Sequence, residues 1–162
     1  MTTARNAACW ISKLFRERKS EEISEIVLHK LLYFSQREAL IADRDSPLFP
    51  EAFEAWKYGP VMREIRSDFN QIARATADDL QDLNAQDSAA ISSTMDRYAD
   101  MDPWGLVDLT HGESSWINAR KGCGTEDRCS NEITVEAIRA DADYMRTRRR
   151  MLAERRSAHD HR

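Results

Sequence analysis

The chain has 162 residues, of which 41% are apolar and 32% are charged, and its formal net charge is −4. This length fits one domain with a single core, and only five glycines and four prolines argue against a fibrous or loop-rich protein. No stretch approaches the ~20 apolar residues of a membrane span. Three cysteines without a paired framework and the lack of a secretory signal predict a cytoplasmic protein.

Apolar residues recur with helical spacing along the first third of the chain. They predict a first helix over residues 4–18 and a second over residues 22–43. The second has the broader apolar stripe, so we expect it to be the central, buried element of the core. The segment with Pro47 and Pro50 excludes further helix. Residues 51–58 are rich in aromatics and are predicted to be extended or a short helix.

The remaining elements are predicted to be short helices separated by polar turns. Gly59-Pro60 is typical of a turn and helix start, because proline is favoured at the first helical position. Residues 74–86 are predicted to be a loop, and Asp87 is the expected N-cap of the helix that follows it. The predicted helices are 60–70, 87–100, 102–109, 114–120 and 134–156.

These elements predict a mostly α, compact, single-domain fold built around helix 22–43. The domain is expected over residues 1–145, followed by an arginine-rich helix end and tail over residues 146–162. The seven arginines of this last segment face only two acidic residues, whereas the rest of the chain is net acidic. A basic helix end complements the helix dipole, and it is also compatible with an acidic partner or nucleic acid. An acidic body argues against a whole-surface nucleic-acid binder.

No complete catalytic, cofactor or metal site is visible in the sequence. There is no glycine-rich phosphate loop, and Cys123 and Cys129 are expected to be free thiols in a loop over residues 121–132. His111 lies next to Glu113, as a general base could, but no nucleophile accompanies them. We expect His111 to bond backbone at a turn, and we expect no enzymatic activity.

A set of aromatic residues stands out in the sequence. Phe53, Trp56, Tyr58, Trp104 and Trp116 belong to it, and basic residues flank several of them. Aromatic and arginine side chains dominate protein-binding hot spots, although core packing is the alternative for each tryptophan. The predicted partner-binding residues are Trp56, Lys57, Tyr58 and Arg63, with Trp116 and Arg120 as a second pair.

Three segments resemble the Panacea domain, the domain of SocA-like antitoxins. The first is residues 29–65, in which K-L-L-Y (30–33), P-L-F (47–49), E-A-W (54–56) and G-P-V (59–61) follow in order. The second is LVDLTHGESSWINAR (106–120), and the third is NEITVEA (131–137). The resemblance covers roughly residues 8–144, and the Asp-rich segment 76–102 and residues 146–162 lie outside its pattern.

The resemblance implies a helical antitoxin, often phage- or plasmid-linked, that neutralises a cognate protein toxin by direct contact. One branch of the family is an adaptor that hands its toxin to a Clp-type protease. A DNA-binding regulator of its own operon, acting through the arginine-rich helix, is a further alternative. The sequence predicts neither the toxin nor the oligomeric state.

Overall fold

Eight α-helices and a small three-stranded sheet make up the protein in the computed structural model, which describes residues 1–162. The fold is therefore mostly α, as the sequence predicts. None of the helices combines the length and the apolar character needed to cross a bilayer. In chain order the elements are α1 (Ala4–Lys19), α2 (Glu25–Ala42), β1 (Phe53–Trp56), β2 (Gly59–Val61), α3 (Arg63–Ser67), α4 (Phe69–Ala73), α5 (Ala85–Tyr98), α6 (Pro103–His111), α7 (Ser114–Ala119), β3 (Glu132–Ile133) and α8 (Val135–Asp160).

Helix α2 is the centre of the core, which confirms the prediction for residues 22–43. Every residue from Val27 to Leu40 is buried, and α1, α5, α6, α8 and β2 pack around the helix. Ser24 caps its first turn by accepting a hydrogen bond from the Val27 N–H. Because the helix is enclosed on all sides, its polar side chains are buried as well and require partners within the protein.

The segment with the two prolines packs back onto this helix. The Gln36 side chain, which is fully buried, accepts a hydrogen bond from the Leu48 N–H at 2.7 Å and donates one to the Phe49 carbonyl at 2.7 Å. One amide thus satisfies two backbone groups of a segment that has no regular structure of its own. Leu48 and Phe49 are thereby fixed in the core.

The three strands form an antiparallel sheet in the order β2-β1-β3. The extended form predicted for residues 51–58 is confirmed at β1. The helix predicted over residues 60–70 is present only from Arg63 onward, as α3 and α4, and its predicted start at Pro60 is wrong, because residues 59–61 pair with β1 as strand β2. Gly59 has a φ of 111°, which closes a hairpin in which Trp56 pairs with Gly59. Pro60, which has no N–H to donate, is tolerated because β2 is an edge strand.

Two further boundaries differ from the sequence prediction. Helix α5 begins at Ala85, and its N-cap is Asn84, whose side chain accepts from the Asp87 N–H at 2.8 Å. The expected cap, Asp87, is thus in the first turn. The loop before it contains a short 3-10 turn at Ala77–Asp79. At the other end, α8 continues to Asp160, so most of the segment predicted as a tail is helical.

Helix α8 is anchored to α2 by two of its arginines. Arg146 donates to the carbonyls of Leu40 and Ile41 at 2.5 and 2.8 Å, where α2 ends and its last carbonyls have no helical partner. Arg149 forms an ion pair with the buried Glu38 at 2.6 Å. Beyond these contacts, all residues from Arg150 to the C-terminus are exposed.

Candidate partner-binding surface

The β1–β2 hairpin positions three of the predicted partner-binding residues. Trp56 is the last residue of β1, and Lys57 and Tyr58 form the two-residue turn before Gly59. Trp56 is only 9% exposed, whereas Tyr58 is 45% exposed. The turn therefore presents Tyr58 to solvent and keeps Trp56 beneath it.

Guanidinium groups surround the Trp56 ring. Those of Arg63, Arg66 and Arg128 lie 5.7, 5.2 and 4.3 Å from the ring centroid, within the range of cation–π attraction. Arg63 also pairs with Glu54 on β1 at 2.6 Å. Of these three arginines only Arg63 was predicted from the sequence, and together their guanidinium groups cover much of the Trp56 ring.

Trp116 and Arg120 support the hairpin from α7 and its C-terminus. The Trp116 indole donates to the Trp56 carbonyl at 2.8 Å. Arg120 is buried and donates to the carbonyls of Ala55, Gly124 and Asp127 at 2.9, 2.7 and 3.0 Å. Its guanidinium is hydrogen-bonded within the protein, which favours a role for Arg120 in packing rather than in partner binding.

His111 has the structural environment expected from the sequence. Its Nε2 donates to the Lys57 carbonyl at 2.9 Å, and its ring stacks on Trp116 with centroids 4.3 Å apart. The prediction that it bonds backbone at a turn is confirmed. Glu113 does not share this environment, because it pairs with Arg37 in the interior instead.

An exposed aromatic surface extends from the hairpin turn to α6 and α7. Tyr58 packs edge-to-face against Trp104, with ring centroids 5.5 Å apart, and Trp104 is 54% exposed. Tyr58, Trp116 and the exposed Ile117 also line one shallow depression. We call Tyr58, Trp104, Trp116 and Ile117 the aromatic patch. The sequence placed Trp104 among the prominent aromatics but did not single it out, and Ile117 gave no signal because a lone apolar residue in a short helix is usual.

A polar cluster lies deeper, between α2, α7 and α8. The Tyr33 hydroxyl is 2.7 Å from Ser115 Oγ and 3.3 Å from the Asp141 carboxylate, which also accepts from the Ser115 N–H at 2.9 Å. Burial raises the pKa of Glu113 to about 7, and the nearby Asp141 adds to this rise against the opposing effect of Arg37. These interactions join three helices with few exposed atoms, so they favour a role in stability.

The loop after α7 is closed by a disulfide between Cys123 and Cys129, whose Cα atoms are 5.9 Å apart. The prediction of two free thiols is therefore wrong in this structure. The carbonyls of Gly124 and Asp127 converge on Arg120, and this folds the loop so that the two sulfurs meet. Cys9 remains a free, buried thiol, and no group of three or more His, Cys, Asp or Glu side chains is arranged to hold a metal ion.

The motifs that the sequence shares with a known family contact one another in the fold. Lys30 of K-L-L-Y donates to the carbonyl of Pro60 in G-P-V at 3.2 Å. A β-carbon added at Gly59 would lie 2.6 Å from Oγ1 of Thr110, which belongs to the second resembling segment (106–120). K-L-L-Y, G-P-V and the segment with Thr110 therefore pack against one another.

The comparison with protein families agrees with this geometry. A family model described as antitoxin SocA-like, Panacea domain, matches residues 28–117, which is more than half of the chain and extends from the first turn of α2 to α7. No curated protein and no solved structure matches the chain significantly. On the family match, the chain belongs to the SocA-like antitoxins and carries their Panacea domain.

Proposed function

We propose that the protein is an antitoxin that neutralises a cognate protein toxin by direct, non-enzymatic binding through the aromatic patch. The observation that supports this most is the exposed pair of Tyr58 and Trp104. Large aromatic side chains that remain exposed on a folded domain are typical of protein-binding surfaces, and tyrosine and tryptophan are enriched among hot spots. The family supports a toxin as the partner in general.

The patch has a rigid foundation. The Lys57 carbonyl is held by His111, and the Trp56 carbonyl is held by Trp116, so the hairpin turn is fixed from both α6 and α7. Anchors that are already ordered lose little side-chain entropy on binding. Tyr58 and Trp104 can therefore contribute most of their buried area to affinity.

The site of action in this proposal is the cytoplasm. Cys123 and Cys129 would then be reduced, since disulfides rarely persist in that compartment. The bonds from Arg120 to the loop carbonyls do not depend on the disulfide, and they would keep the loop folded against the hairpin.

The test is co-expression with the toxin encoded by the neighbouring gene, followed by measurement of the affinity of the purified pair. Tyr58→Ala and Trp104→Ala should each weaken binding by about 30-fold or more, the effect of losing a hot spot worth ~2 kcal/mol. Tyr144→Ala is the matched control, because Tyr144 is 66% exposed but lies on α8 and should change affinity less than threefold. If both patch variants bind like the wild-type protein, the patch is not the interface.

The same experiment distinguishes the alternatives. An occluding antitoxin forms a stable complex of fixed stoichiometry and leaves the toxin abundant. Loss of the toxin that depends on a Clp-type protease would instead indicate an adaptor. Neutralisation by far less than one equivalent of antitoxin, without a complex, would indicate an enzyme. Operon DNA bound through the exposed arginines of α8 would support autoregulation.

A further inference from the structure

A second, chemically different site lies on the other side of the hairpin. It is a groove of about 370 Å³ between the start of α2, the hairpin, α3 and the loop closed by the disulfide. Its lining is rich in charged side chains and differs from the aromatic patch, although Lys57 and Tyr58 border both. The residues that line it include Glu25, Lys30, Trp56, Lys57, Arg66, Glu126 and Arg128.

The charges in this groove do not balance. Glu25 pairs with Arg66 at 3.0 Å, and Glu126 pairs with Lys57, so both acids are already neutralised. Neither Lys30 nor Arg128 forms an ion pair. Two cationic side chains thus remain in the groove without an anionic partner.

Lys30 is the less usual of the two because it is only 1% exposed. Its ammonium group has three N–H bonds, and a single one is used, in the 3.2 Å hydrogen bond to the Pro60 carbonyl. Burial lowers the pKa of Lys30 to about 7, although Glu25 opposes the shift. A buried lysine with unused donors is costly unless an anion reaches it.

Arg128 provides the second cationic group, at the rim of the groove. Its guanidinium lies 4.3 Å from the Trp56 ring and makes no hydrogen bond to a carboxylate or carbonyl. The Trp56 Nε1–H in the wall of the groove also lacks an acceptor. A planar guanidinium and a point-like ammonium that line the same groove are a donor set that suits the oxygens of a phosphoryl group.

We propose that this groove binds a phosphoryl dianion, either free phosphate or the phosphate of a small ester such as a nucleotide, between Lys30 and Arg128. The permanent charge of Arg128, together with a Lys30 that a neighbouring anion would hold in its protonated form, complements the charge of about −1.5 to −2 that a phosphate monoester carries at neutral pH. The groove is also large enough for more than the phosphoryl group itself. This inference goes beyond the antitoxin function and does not depend on it.

The experiment titrates the full-length protein with inorganic phosphate and, separately, with adenosine 5′-monophosphate, by calorimetry and by NMR of the indole N–H signals. Both probes should bind at one site and shift the Trp56 indole signal. The Trp10 indole, which donates to the Gln81 carbonyl outside the groove, should not shift. Equal affinities would mean that the groove recognises the phosphoryl group alone, whereas tighter binding of the nucleotide would mean that it also contacts the ester; both results support the site.

Two variants and a control complete the test. Arg128→Gln and Lys30→Met should each weaken phosphate binding at least tenfold, and Arg74→Gln, an exposed arginine of another surface, should change it less than twofold. Arg128 is exposed, so its variant gives an answer even if Lys30→Met does not fold. If neither probe binds, or if Arg128→Gln binds as tightly as Arg74→Gln, the proposal is wrong.

Discussion

Replacement of Gly59 by alanine should destabilise the fold more than any other glycine-to-alanine change in the chain. A β-carbon at Gly59 would lie 2.6 Å from Thr110 Oγ1 and 2.7 Å from Lys30 Cε, closer than real β-carbons approach such atoms. Overpacking of this kind costs ~1–3 kcal/mol. The backbone φ of 111° adds ~1–3 kcal/mol of strain for any residue with a side chain.

The two costs together are about 2–6 kcal/mol, a large part of the ~5–15 kcal/mol that stabilises a typical domain. At about 2–4 °C per kcal/mol for a protein of this size, Tm should fall by about 4–24 °C. Thermal unfolding followed by circular dichroism measures this directly. Urea unfolding gives the free energy independently.

Substitutions at two other glycines separate the cost of overpacking from the cost of backbone strain. Gly122 has a φ of 91° but open space around it, so Gly122→Ala should show the backbone strain alone. Gly105 lies inside α6 with ordinary contacts, and Gly105→Ala should leave stability unchanged or raise it by ~0.5–1 kcal/mol. If Gly59→Ala and Gly122→Ala lower Tm equally, the close approach of Thr110 and Lys30 to Gly59 does not limit stability and the reasoning fails.

Three further predictions concern the buried Glu113 and the C-terminal half of α8. Because the pKa of Glu113 rises from 4.5 to about 7 on folding, its contribution to stability is present below pH 4.5 and is lost as the pH rises through 7. The difference in unfolding free energy between wild type and Glu113→Gln should therefore fall by up to about 3 kcal/mol between pH 4.5 and 7.5; a constant difference would contradict this. Deletion of the exposed residues 151–162 should leave Tm within about 2 °C, whereas Arg149→Ala should cost about 2 kcal/mol or more in urea unfolding, because Glu38 would keep a buried charge without its close partner.

Helix positions were predictable because they depend on local patterns. The apolar stripe of residues 22–43 and the two prolines after it locate α2 to within a few residues of Glu25–Ala42. The breadth of the stripe also indicates burial on more than one side of α2, and the structure shows burial on all sides. What the stripe does not reveal is that polar residues such as Lys30 and Gln36 are buried within it, because their partners come from distant parts of the chain.

Gly59-Pro60 shows how one local pattern fits two structures. A glycine followed by a proline is compatible with the start of a helix, and it is equally compatible with a hairpin that enters an edge strand. The choice is made by β1, to which residues 59–61 hydrogen-bond, and by Lys30, which donates to the Pro60 carbonyl. Both are tertiary interactions, so the sequence alone favoured the wrong alternative.

The candidate surface, too, could be predicted from the sequence only in part. Three of the aromatic residues that the sequence singles out, Trp56, Tyr58 and Trp116, lie around one hairpin. The sequence did not separate the aromatic side chains that support the hairpin from those that are presented to solvent, because both kinds occur at similar positions in short elements. That separation depends on the turn, which exposes Tyr58 and brings Trp104 of a later helix against it. The residues that test the proposed interface are therefore Tyr58 and Trp104. Trp56 was also predicted, but it is largely covered, so its replacement would impair folding as well as binding and would not test the interface alone.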